Sequence, residues 1–354
     1  MRILITGGAG FVGASLAEAF KSDNPRARIT ALDNLKRRGS EINLPRLKKM
    51  GVDFVHGDVR AKEDLFALPG RFDLMIEASA EPSVLAGQGG DPSYVVETNL
   101  CGTLNCLEFA RLRAGALVFL STSRVYSIDS LRAVRLQEKA GRFEIAPKQS
   151  LPGVGRAGIA ESFPTHLPRS FYGATKLCSE MMIQEYCRTY GLKAVVNRCG
   201  VLAGPGQFGK TDQGVFAHWM AAHYFGKPLS YIGFKGGGKQ VRDILHPRDL
   251  FALLQKQLRA LPKISGEVYN IGGGTANAVS LLELTELCRK VSGRAIPIGR
   301  DPKTSPVDIP LYISDNAKAK KAFGWAPRIS ARAVAEEIHG WLRENERRLR
   351  EVFN

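Results

Sequence analysis

The chain has 354 residues, of which 44% are hydrophobic and 24% are charged. This composition is typical of a folded globular protein and excludes a disordered chain, a collagen-like repeat and a small disulfide scaffold. Lysine and arginine number 50 against 34 aspartates and glutamates, which gives a net charge of +16. That excess fits a nucleic acid, a membrane surface or a phosphate-bearing ligand, and charge alone does not choose among them.

The spacing of the cysteines and the first residues of the sequence bear on the cellular compartment of the protein. The sequence contains no C-x-x-C pair and no cysteine–histidine cluster, so we expect reduced thiols and no metal site. It contains neither a signal-peptide pattern nor an apolar run of the ~20 residues that a membrane span needs. We therefore expect a cytoplasmic protein without a membrane partner.

Short apolar runs alternate with amphipathic stretches through the first half of the chain. The runs predict buried strands at 2–6, 29–32, 53–56, 74–77 and 117–121. Strands that alternate with helices at this spacing indicate βαβ units and a parallel sheet wound on both faces. The predicted fold class is α/β, a Rossmann-type doubly wound sheet followed by a smaller C-terminal lobe that binds substrate.

The second half of the chain is less regular. Residues 127–169 predict a long ordered insertion that serves as a lid or binding loop, because loops of this length in compact domains are usually functional. A helix over 170–190 and a strand over 194–198 follow. We assign 1–198 to the Rossmann domain, with 241–265 returning to it through a helix at 247–261, and 199–240 and 266–354 to the lobe. The ligand is expected between the two, beyond the carboxyl ends of the strands.

The first predicted strand runs into a glycine-rich turn with the sequence Thr6-Gly7-Gly8-Ala9-Gly10-Phe11-Val12-Gly13. Glycines at this spacing permit a tight turn and let backbone N–H groups at the following helix N-terminus approach a pyrophosphate. A merely flexible turn is the alternative. The position directly after the first strand favours a dinucleotide site.

Acidic residues end the next two predicted strands. Asp33 follows Gly13 by twenty residues, where a carboxylate accepts hydrogen bonds from the adenosine ribose of NAD and repels the extra phosphate of NADP. The basic run that begins at Lys36 keeps NADP open. Asp58 ends the third strand and is placed to meet the adenine, or else to cap a helix.

Tyr172 and Lys176 are four residues apart, which places a phenol and an ammonium on one face of the predicted helix. A neighbouring positive charge favours the phenolate, so the pair can supply a base near neutrality. A surface pair without function is the alternative. Thr122 and Ser123 follow an apolar strand, where hydroxyls can bind a reacting oxygen or can stabilise a turn.

The order of these motifs resembles the extended short-chain dehydrogenase/reductase superfamily. Asn99 in Asn99-Leu100-Cys101-Gly102-Thr103 is similar to the N-x-x-G-T segment of that superfamily, and Arg242-Asp243-Ile244-Leu245-His246 to its R-D-x-x-H motif. The resemblance implies Thr122, Tyr172, Lys176 and Ser123 as catalytic residues. It implies NAD as cofactor, bound by Gly7, Gly10, Phe11, Val12, Gly13, Asp33, Asn34, Asp58, Val59, Ala78, Ser79, Ala80, Asn99, Tyr172 and Lys176.

Further motifs are similar to those of the CDP-paratose (CDP-tyvelose) 2-epimerase family. They are Phe54-Val55-His56-Gly57-Asp58, Gln207-Phe208 with Asp212-Gln213-Gly214, Gly238-Lys239-Gln240-Val241-Arg242-Asp243 and Asn270-Ile271-Gly272-Gly273. The resemblance implies a nucleoside-diphosphate sugar, a CDP-deoxyhexose, whose C2 is inverted by oxidation to a keto sugar and return of the hydride. Gln207, Gln240 and Arg242 would bind it, with the Arg242 guanidinium on the diphosphate. A salt bridge from Arg242 to Asp243 or Asp249 is the alternative.

The chain also departs from these patterns. Glu77-Ala78-Ser79-Ala80 stands where H-x-A-A or H-x-A-G is usual, and Ser123-Arg124 where nucleotide-sugar dehydratases carry Asp-Glu. A 4-epimerase stays open, a 4,6-dehydratase is less favoured, and an RNA-binding protein of the same fold is the remote alternative. The resemblance implies a homodimer or homotetramer.

Overall fold

The computed structural model describes residues 1–210 and 213–353. Asp212, part of one motif above, lies outside them. The strands in chain order are β1 (Arg2–Thr6), β2 (Arg28–Asp33), β3 (Asp53–His56), β4 (Leu74–Glu77), β5 (Leu117–Thr122), β6 (Leu136–Glu138), β7 (Phe143–Ile145), β8 (Val154–Gly155), β9 (Gly158–Ile159), β10 (Ala194–Cys199), β11 (Val201–Leu202), β12 (Leu229–Ile232), β13 (Val241–Leu245), β14 (Val268–Ile271), β15 (Ala278–Ser280), β16 (Ile298–Asp301) and β17 (Leu311–Tyr312).

The α-helices in chain order are α1 (Phe11–Asp23), α2 (Leu44–Lys49), α3 (Lys62–Phe66), α4 (Ser93–Val96), α5 (Gly102–Arg113), α6 (Ile128–Arg132), α7 (Phe171–Tyr190), α8 (Val215–Phe225), α9 (Pro247–Ile264), α10 (Leu281–Ser292), α11 (Ala317–Phe323), α12 (Ala331–Glu344) and α13 (Glu346–Leu349). One π-helical turn, Glu97–Cys101, joins α4 to α5.

Two compact units share the chain. The first contains Met1–Val125, Ser170–Arg198 and Leu250–Tyr269, and the second contains Tyr126–Arg169, Cys199–Asp249 and Asn270–Asn354. The bounds differ from the domain assignment made from sequence, which put 126–169 and 241–249 in the first unit and 266–269 in the second.

Backbone pairing explains that difference. Within the second unit, the Ile159 N–H donates to Ile313 O at 2.8 Å and Phe143 N–H donates to Lys239 O at 2.9 Å. Strand β13 pairs with β15 and β17. The stretch 127–169 is ordered as predicted, as helix α6 and the hairpins β6–β7 and β8–β9, and these bonds tie it to later parts of the chain.

The first unit contains a seven-stranded sheet in the order β14-β10-β5-β4-β1-β2-β3. The pairs from β5 to β3 are parallel. Its central strands β4 and β5 are buried throughout, as expected where helices cover both faces of such a sheet, whereas the edge strand β3 is partly exposed. The predicted α/β class with a Rossmann-type parallel sheet is confirmed, and the five strands predicted in the first half match within one residue at either end. The second unit is about as long as the first, whereas a smaller lobe was predicted.

Helix boundaries follow local signals. The Ser170 hydroxyl accepts the Gly173 N–H at 3.2 Å and begins α7, and Gly191, at φ +66°, ends it. The predicted helix 170–190 is thereby confirmed. Helix α9 extends three residues beyond the predicted 247–261, past Pro262, and both Leu261 and Ile264 are buried. Continued burial of that apolar side explains the extra turn.

Candidate functional site

The strand order of the sheet reverses between β1 and β4. Strand β2 lies on one side of β1 and β4 on the other, with Thr6 paired to Glu77 at their carboxyl ends. Ligands of doubly wound sheets bind at such a switch point. The segments that follow β1 and β4 lie close together at this point, since a Cβ on Gly7 would lie 2.7 Å from Ala78 O.

The glycine-rich turn is shaped as the dinucleotide prediction requires. Gly7 has φ +65°, and a Cβ on Gly13 would lie 2.2 Å from Gly7 O, so neither position accepts a side chain. Gly10 occupies the N-cap of α1 and has no side chain to cap the helix. The first-turn N–H groups of Phe11 and Val12 therefore face outward for an anion such as the NAD diphosphate.

Asp33 is buried and holds the glycine-rich turn. Its Oδ2 accepts N–H bonds from Ala9 at 3.1 Å and Gly10 at 3.2 Å, and its Oδ1 accepts the Leu35 N–H at 2.8 Å. Burial raises the pKa of Asp33, and these three bonds offset the rise only partly. A carboxylate accepts about four hydrogen bonds. One acceptor position on Oδ1 is therefore available to a ribose hydroxyl.

Asp58 forms a polar cluster with Asn34 and Arg60. Asn34 Nδ2 donates to Asp58 Oδ2 at 2.9 Å, and the Arg60 guanidinium lies 2.8 Å from the same oxygen. Burial alone raises the pKa of Asp58, but the bonds from Arg60 and Asn34 lower it to about 2. The helix-cap alternative is wrong because α3 begins after Ala61. The neighbouring Val59 is buried in the core, where a Cβ on Gly102 would touch it.

The segment 78–80 is half-buried beside the end of β1. The Ala78 N–H donates to Thr6 O at 3.1 Å, and the Ser79 hydroxyl donates to Thr6 Oγ at 3.0 Å. The segment therefore extends the β1–β4 pairing past the strand ends, and Ala78, Ser79 and Ala80 border the switch point.

Asn99 lies in the π-helical turn and uses its side chain to hold neighbouring segments. Its Oδ1 accepts the Glu81 N–H at 2.8 Å, and its Nδ2 donates to Glu81 O at 3.0 Å and to Thr175 Oγ at 3.3 Å. These bonds link the segment after β4 to α7. The structure thus gives Asn99 a positioning geometry, and the cofactor contact predicted from sequence stays a prediction.

Thr122 ends β5, and Ser123 opens the 3-10 turn that follows. Thr122 Oγ accepts the Arg124 N–H at 3.1 Å, so the hydroxyl proton can be donated elsewhere. The preceding Ser121 is buried and donates to Glu180 Oε1 at 2.5 Å. The Thr122 hydroxyl can therefore stabilise the turn as an acceptor and still donate its proton to a ligand oxygen.

Tyr172 and Lys176 lie on α7, which packs against β5 and the turn after it. Tyr172 is half-buried. Lys176 is only 2% exposed, so the alternative of a surface pair is wrong. Its ammonium nitrogen lies 4.0 Å from the centroid of the Phe119 ring, which is a cation–π contact. A buried ammonium four residues along the same helix from a phenol can stabilise a phenolate.

The predicted substrate glutamines are in the second unit. Gln207 Nε2 donates to Leu202 O and Gln240 Nε2 donates to Ile232 O, each at 2.9 Å. The Oε1 atom of each is buried and has no hydrogen-bond partner among residues 1–210 and 213–353. Each therefore keeps one acceptor for a donor group.

Arg242 forms an ion pair with Asp308, with Nη2 3.1 Å from Oδ1, and also donates to Ile309 O at 2.8 Å. The salt-bridge partners considered from sequence are wrong. Asp243 accepts the N–H groups of Ser314 and Gly274, and Asp249 Oδ2 accepts those of Arg328 and Ile329. A diphosphate on Arg242 would share it with Asp308.

Sequence reasoning did not assign three polar or aromatic positions around Lys176 and Ser121. Glu180 is buried and paired with Arg198 at 2.7 Å, Phe119 supports the ammonium, and Glu77 is a buried acid. For Glu77 the available signal was an acid at the end of an apolar run, since buried carboxylates are rare unless paired, whereas Glu180 lies inside α7 and gave no such signal.

Residues 1–210 and 213–353 contain no group of three or more histidine, cysteine, aspartate or glutamate side chains that could hold a metal ion. None of their helices is long and apolar enough to cross a membrane.

Comparison with known proteins gives the family. Residues 3–272 match the model of the NAD dependent epimerase/dehydratase family. The chain is 31% identical to CDP-paratose 2-epimerase of Salmonella typhi, over 96% of this chain and 99% of that protein. It is 29% identical to dTDP-glucose 4,6-dehydratase of Streptomyces niveus, over 98% and 94%.

A solved structure is similar over nearly the whole chain. The UDP-glucose 4-epimerase of Thermus thermophilus in complex with NAD superposes with a TM-score of 0.76 and 27% identity, over 97% of this chain and 99% of that one. Together with the glycine-rich turn at the switch point, these matches establish that the chain belongs to the NAD-dependent epimerase/dehydratase family of nucleotide-sugar enzymes and uses NAD as its cofactor.

Proposed function

We propose that the protein is a nucleotide-sugar epimerase of the CDP-paratose 2-epimerase type, which inverts C2 of a CDP-deoxyhexose. The observation that carries the proposal is the buried Lys176 one helical turn from Tyr172, on a helix packed against the strand that ends in Thr122. The similarity to CDP-paratose 2-epimerase over 96% of this chain supports the choice of substrate.

The cofactor would be held by the glycine-rich turn, the α1 N-terminus and Asp33. NAD, when bound, supplies the oxidation of the sugar carbon and its later reduction. Tyr172 Oη, as phenolate, takes the proton of the sugar hydroxyl, and Lys176 stabilises that phenolate. Thr122, with Ser123 beside it, donates a hydrogen bond to the sugar oxygen. Reduction from the opposite face of the keto sugar inverts the carbon, after which Tyr172 returns the proton.

The sugar nucleotide would be bound by the second unit. Arg242 offers a guanidinium to the diphosphate, and Gln207 and Gln240 offer their buried acceptor oxygens to hydroxyl or amino groups. Which carbon reacts depends on how these contacts orient the sugar, so C2 rests on similarity.

A 4-epimerase uses the same catalytic groups and is the second candidate, supported by the similarity to the Thermus thermophilus enzyme. A 4,6-dehydratase needs an added acid and base to eliminate water. The Asp-Glu pair that supplies them in dehydratases is replaced here by Ser123 and Arg124, which disfavours that reaction.

The test is to incubate the purified holoenzyme with CDP-, UDP-, GDP- and ADP-sugars in ordinary and deuterated water and to follow each sugar carbon by NMR. We expect inversion at C2 of a CDP-sugar without added NAD and without solvent deuterium at that carbon. Inversion at C4 would replace the proposal with a 4-epimerase. Loss of water from the sugar would replace it with a dehydratase, and no turnover with RNA binding would replace it with a binding protein.

Tyr172→Phe is the matched variant for this assay, because it removes one hydroxyl and keeps the ring. We expect roughly a 10²- to 10⁴-fold loss of kcat, the range for removal of a general base, with NAD still bound. Turnover at the wild-type rate would remove Tyr172 from the mechanism.

Assembly and compartment follow from the same proposal. We propose a homodimer or homotetramer, to be measured by light scattering on the eluting protein. The cysteines are thiols, and two of them, Cys101 and Cys178, are exposed. Exposed thiols persist in a reducing compartment, which supports the cytoplasm.

A further inference from the structure

Tyr94 on α4 has two cationic groups over its aromatic ring. The Lys36 ammonium nitrogen lies 5.3 Å from the ring centroid, and the central guanidinium carbon of Arg60 lies 4.9 Å from it. Both distances are within the range of a cation–π contact. Lys36 follows β2, Arg60 follows β3 and Tyr94 follows β4. Tyr94 therefore links the segments that leave three parallel strands of the sheet.

Polar contacts complete a closed chain of groups between these segments. Asn34 Oδ1 accepts the Lys36 N–H at 3.0 Å, and Asn34 Nδ2 donates to Asp58 Oδ2 at 2.9 Å. The Arg60 guanidinium donates to both carboxylate oxygens of Asp58, from Nε to Oδ1 at 3.1 Å and from Nη2 to Oδ2 at 2.8 Å. We call the set Asn34, Asp58, Arg60, Tyr94 and Lys36 the clasp. Each member contacts the next in this order, and Lys36 closes the chain on Asn34.

The members of the clasp are not equally well fixed. Asn105 Nδ2 donates to the Arg60 carbonyl at 3.1 Å, and Glu97 Oε2 lies 3.6 Å from Arg60 Nη1, so further groups hold Arg60 in place. Tyr94 lies on a helix of four residues and joins the clasp through its ring. A cation–π contact between exposed groups is weaker than a hydrogen bond between charged groups. The clasp therefore opens most readily at Tyr94.

The clasp lies where the adenosine end of NAD is expected. Asp33 pairs with His56 at the carboxyl ends of β2 and β3. Asn34 directly follows the first strand and Asp58 lies two residues past the second, so both are at that edge of the sheet. A carboxylate at the end of the second strand binds the adenosine ribose in dinucleotide-binding folds. An adenosine held by Asp33 is therefore next to the clasp.

We propose that the clasp closes over the adenosine of NAD and that Tyr94 is the positioning residue at which it opens for the cofactor to enter and leave. Every contact of the clasp joins protein groups to one another, so opening it costs the same contacts for entry as for exit. The clasp then slows both rates and has little effect on the equilibrium affinity. The inference rests on the cofactor contacts given under the proposed function, and its test needs no sugar.

The test is the rate of NAD exchange in the purified holoenzyme. Release is followed by replacing radiolabelled bound NAD with an excess of unlabelled NAD, and Kd is measured by equilibrium dialysis of the same protein. We expect Tyr94→Ala to release NAD about 5- to 30-fold faster, from the loss of two exposed cation–π contacts, with Kd changed less than about threefold. Tyr94→Phe keeps the ring and should keep the wild-type rate.

Two results would overturn the proposal. Release at the wild-type rate from Tyr94→Ala would show that the clasp does not retain the cofactor. Faster release with Kd weakened by the same factor would show that Tyr94 contacts the cofactor directly and does not control its passage.

Lys36→Met tests whether the contacts act as one closed chain, because it removes the ammonium and keeps an unbranched stem. Since the loss of one link opens the clasp, Tyr94→Ala combined with Lys36→Met should release NAD no faster than Tyr94→Ala alone. A further acceleration in the double variant would mean that Lys36 acts independently and would overturn the closed chain.

Tyr190→Ala is the matched control. Tyr190 also has a guanidinium over its ring, that of Arg111 at 5.0 Å, but it is the last residue of α7 and lies outside the clasp. We expect wild-type exchange in this variant, and equally fast release would assign the effect of Tyr94→Ala to general loosening of the fold. If no sugar is turned over, the exchange rates still decide the role of the clasp, and only the proposed function fails.

Discussion

The ammonium nitrogen of Lys176 lies 4.0 Å from the centroid of the Phe119 ring, inside the protein and at the carboxyl edge of the sheet. A ring face stabilises a cation without a hydrogen bond and without neutralising it. The contact helps to fix the ammonium in place, and its proposed role is to act on the phenol of Tyr172, four residues earlier on α7.

Phe119→Leu tests this contact. Loss of the ring removes a cation–π interaction of about 0.5–2 kcal/mol, which predicts roughly a 2- to 30-fold fall in kcat with NAD binding retained. The measurement is the kcat pH profile together with NAD titration. Phe109→Leu is the control, since Phe109 is equally buried in the same core and packs on Phe66 and Phe72. An equal fall of kcat in both variants would assign the effect to core packing.

The glycine-rich turn provides a matched pair of variants. A Cβ on Gly10 would meet only Gly7 O, at 3.2 Å, whereas a Cβ on Gly13 would be 2.2 Å from that oxygen. Gly10→Ala should fold with a Tm near wild type but bind NAD about tenfold or more weakly, because its methyl group occupies the approach of the diphosphate. Gly13→Ala should lose stability outright. Wild-type NAD affinity in Gly10→Ala would contradict the assigned cofactor position.

The sequence predicted the elements that local patterns determine. Apolar runs located β1 to β5, and the turn between Thr6 and Gly13 located the start of α1, because period and glycine spacing are local properties. The same is true of α7, whose cap residue and i, i+4 pair lie within one segment.

Long-range partners could not be predicted this way. Arg242 pairs with Asp308, 66 residues away, and Ile159 bonds to Ile313 across a still larger separation. No periodicity connects such positions, so the residue types suggested Asp243 or Asp249 for Arg242 and the first domain for the 127–169 stretch. The contacts of Asn99 were also unpredictable. Its motif could be identified in the sequence, but its hydrogen bonds to Glu81 depend on how the π-helical turn orients the side-chain amide.

The Arg242–Asp308 pair leads to a test of substrate binding. If Arg242 binds the diphosphate, Arg242→Ala should raise KM for the sugar nucleotide about 10- to 100-fold with kcat little changed, since charge-assisted bonds contribute about 1.5–3 kcal/mol. Asp308→Asn, which weakens the competing ion pair, should not raise KM. Arg132→Ala is the control, because Arg132 holds the same loop through Ser305 O and Asp308 O. A similar rise of KM in that variant would show that loop order, and not the guanidinium charge, is responsible.

His246 makes the stability of the protein depend on pH. The Arg248 N–H donates to His246 Nδ1 at 3.1 Å, so the ring is neutral and a second proton would face a donor. Burial, with the nearby Arg248 charge, lowers the pKa of His246 from 6.5 to about 4. The unfolded chain therefore binds a proton that the folded chain does not between these values, and the free energy of unfolding falls as pH drops through that window.

The His246 contribution to that fall is about 3 kcal/mol, from roughly 2.5 pKa units at about 1.4 kcal/mol each. His246→Asn keeps an acceptor for the Arg248 N–H and cannot be protonated. Urea unfolding of wild type and variant at pH 7 and pH 4.5 should therefore give a smaller loss of stability in the variant. His218, whose pKa burial also lowers, stays in both proteins, so the difference isolates His246. An equal loss in the two proteins would mean that His246 is protonated in the folded state.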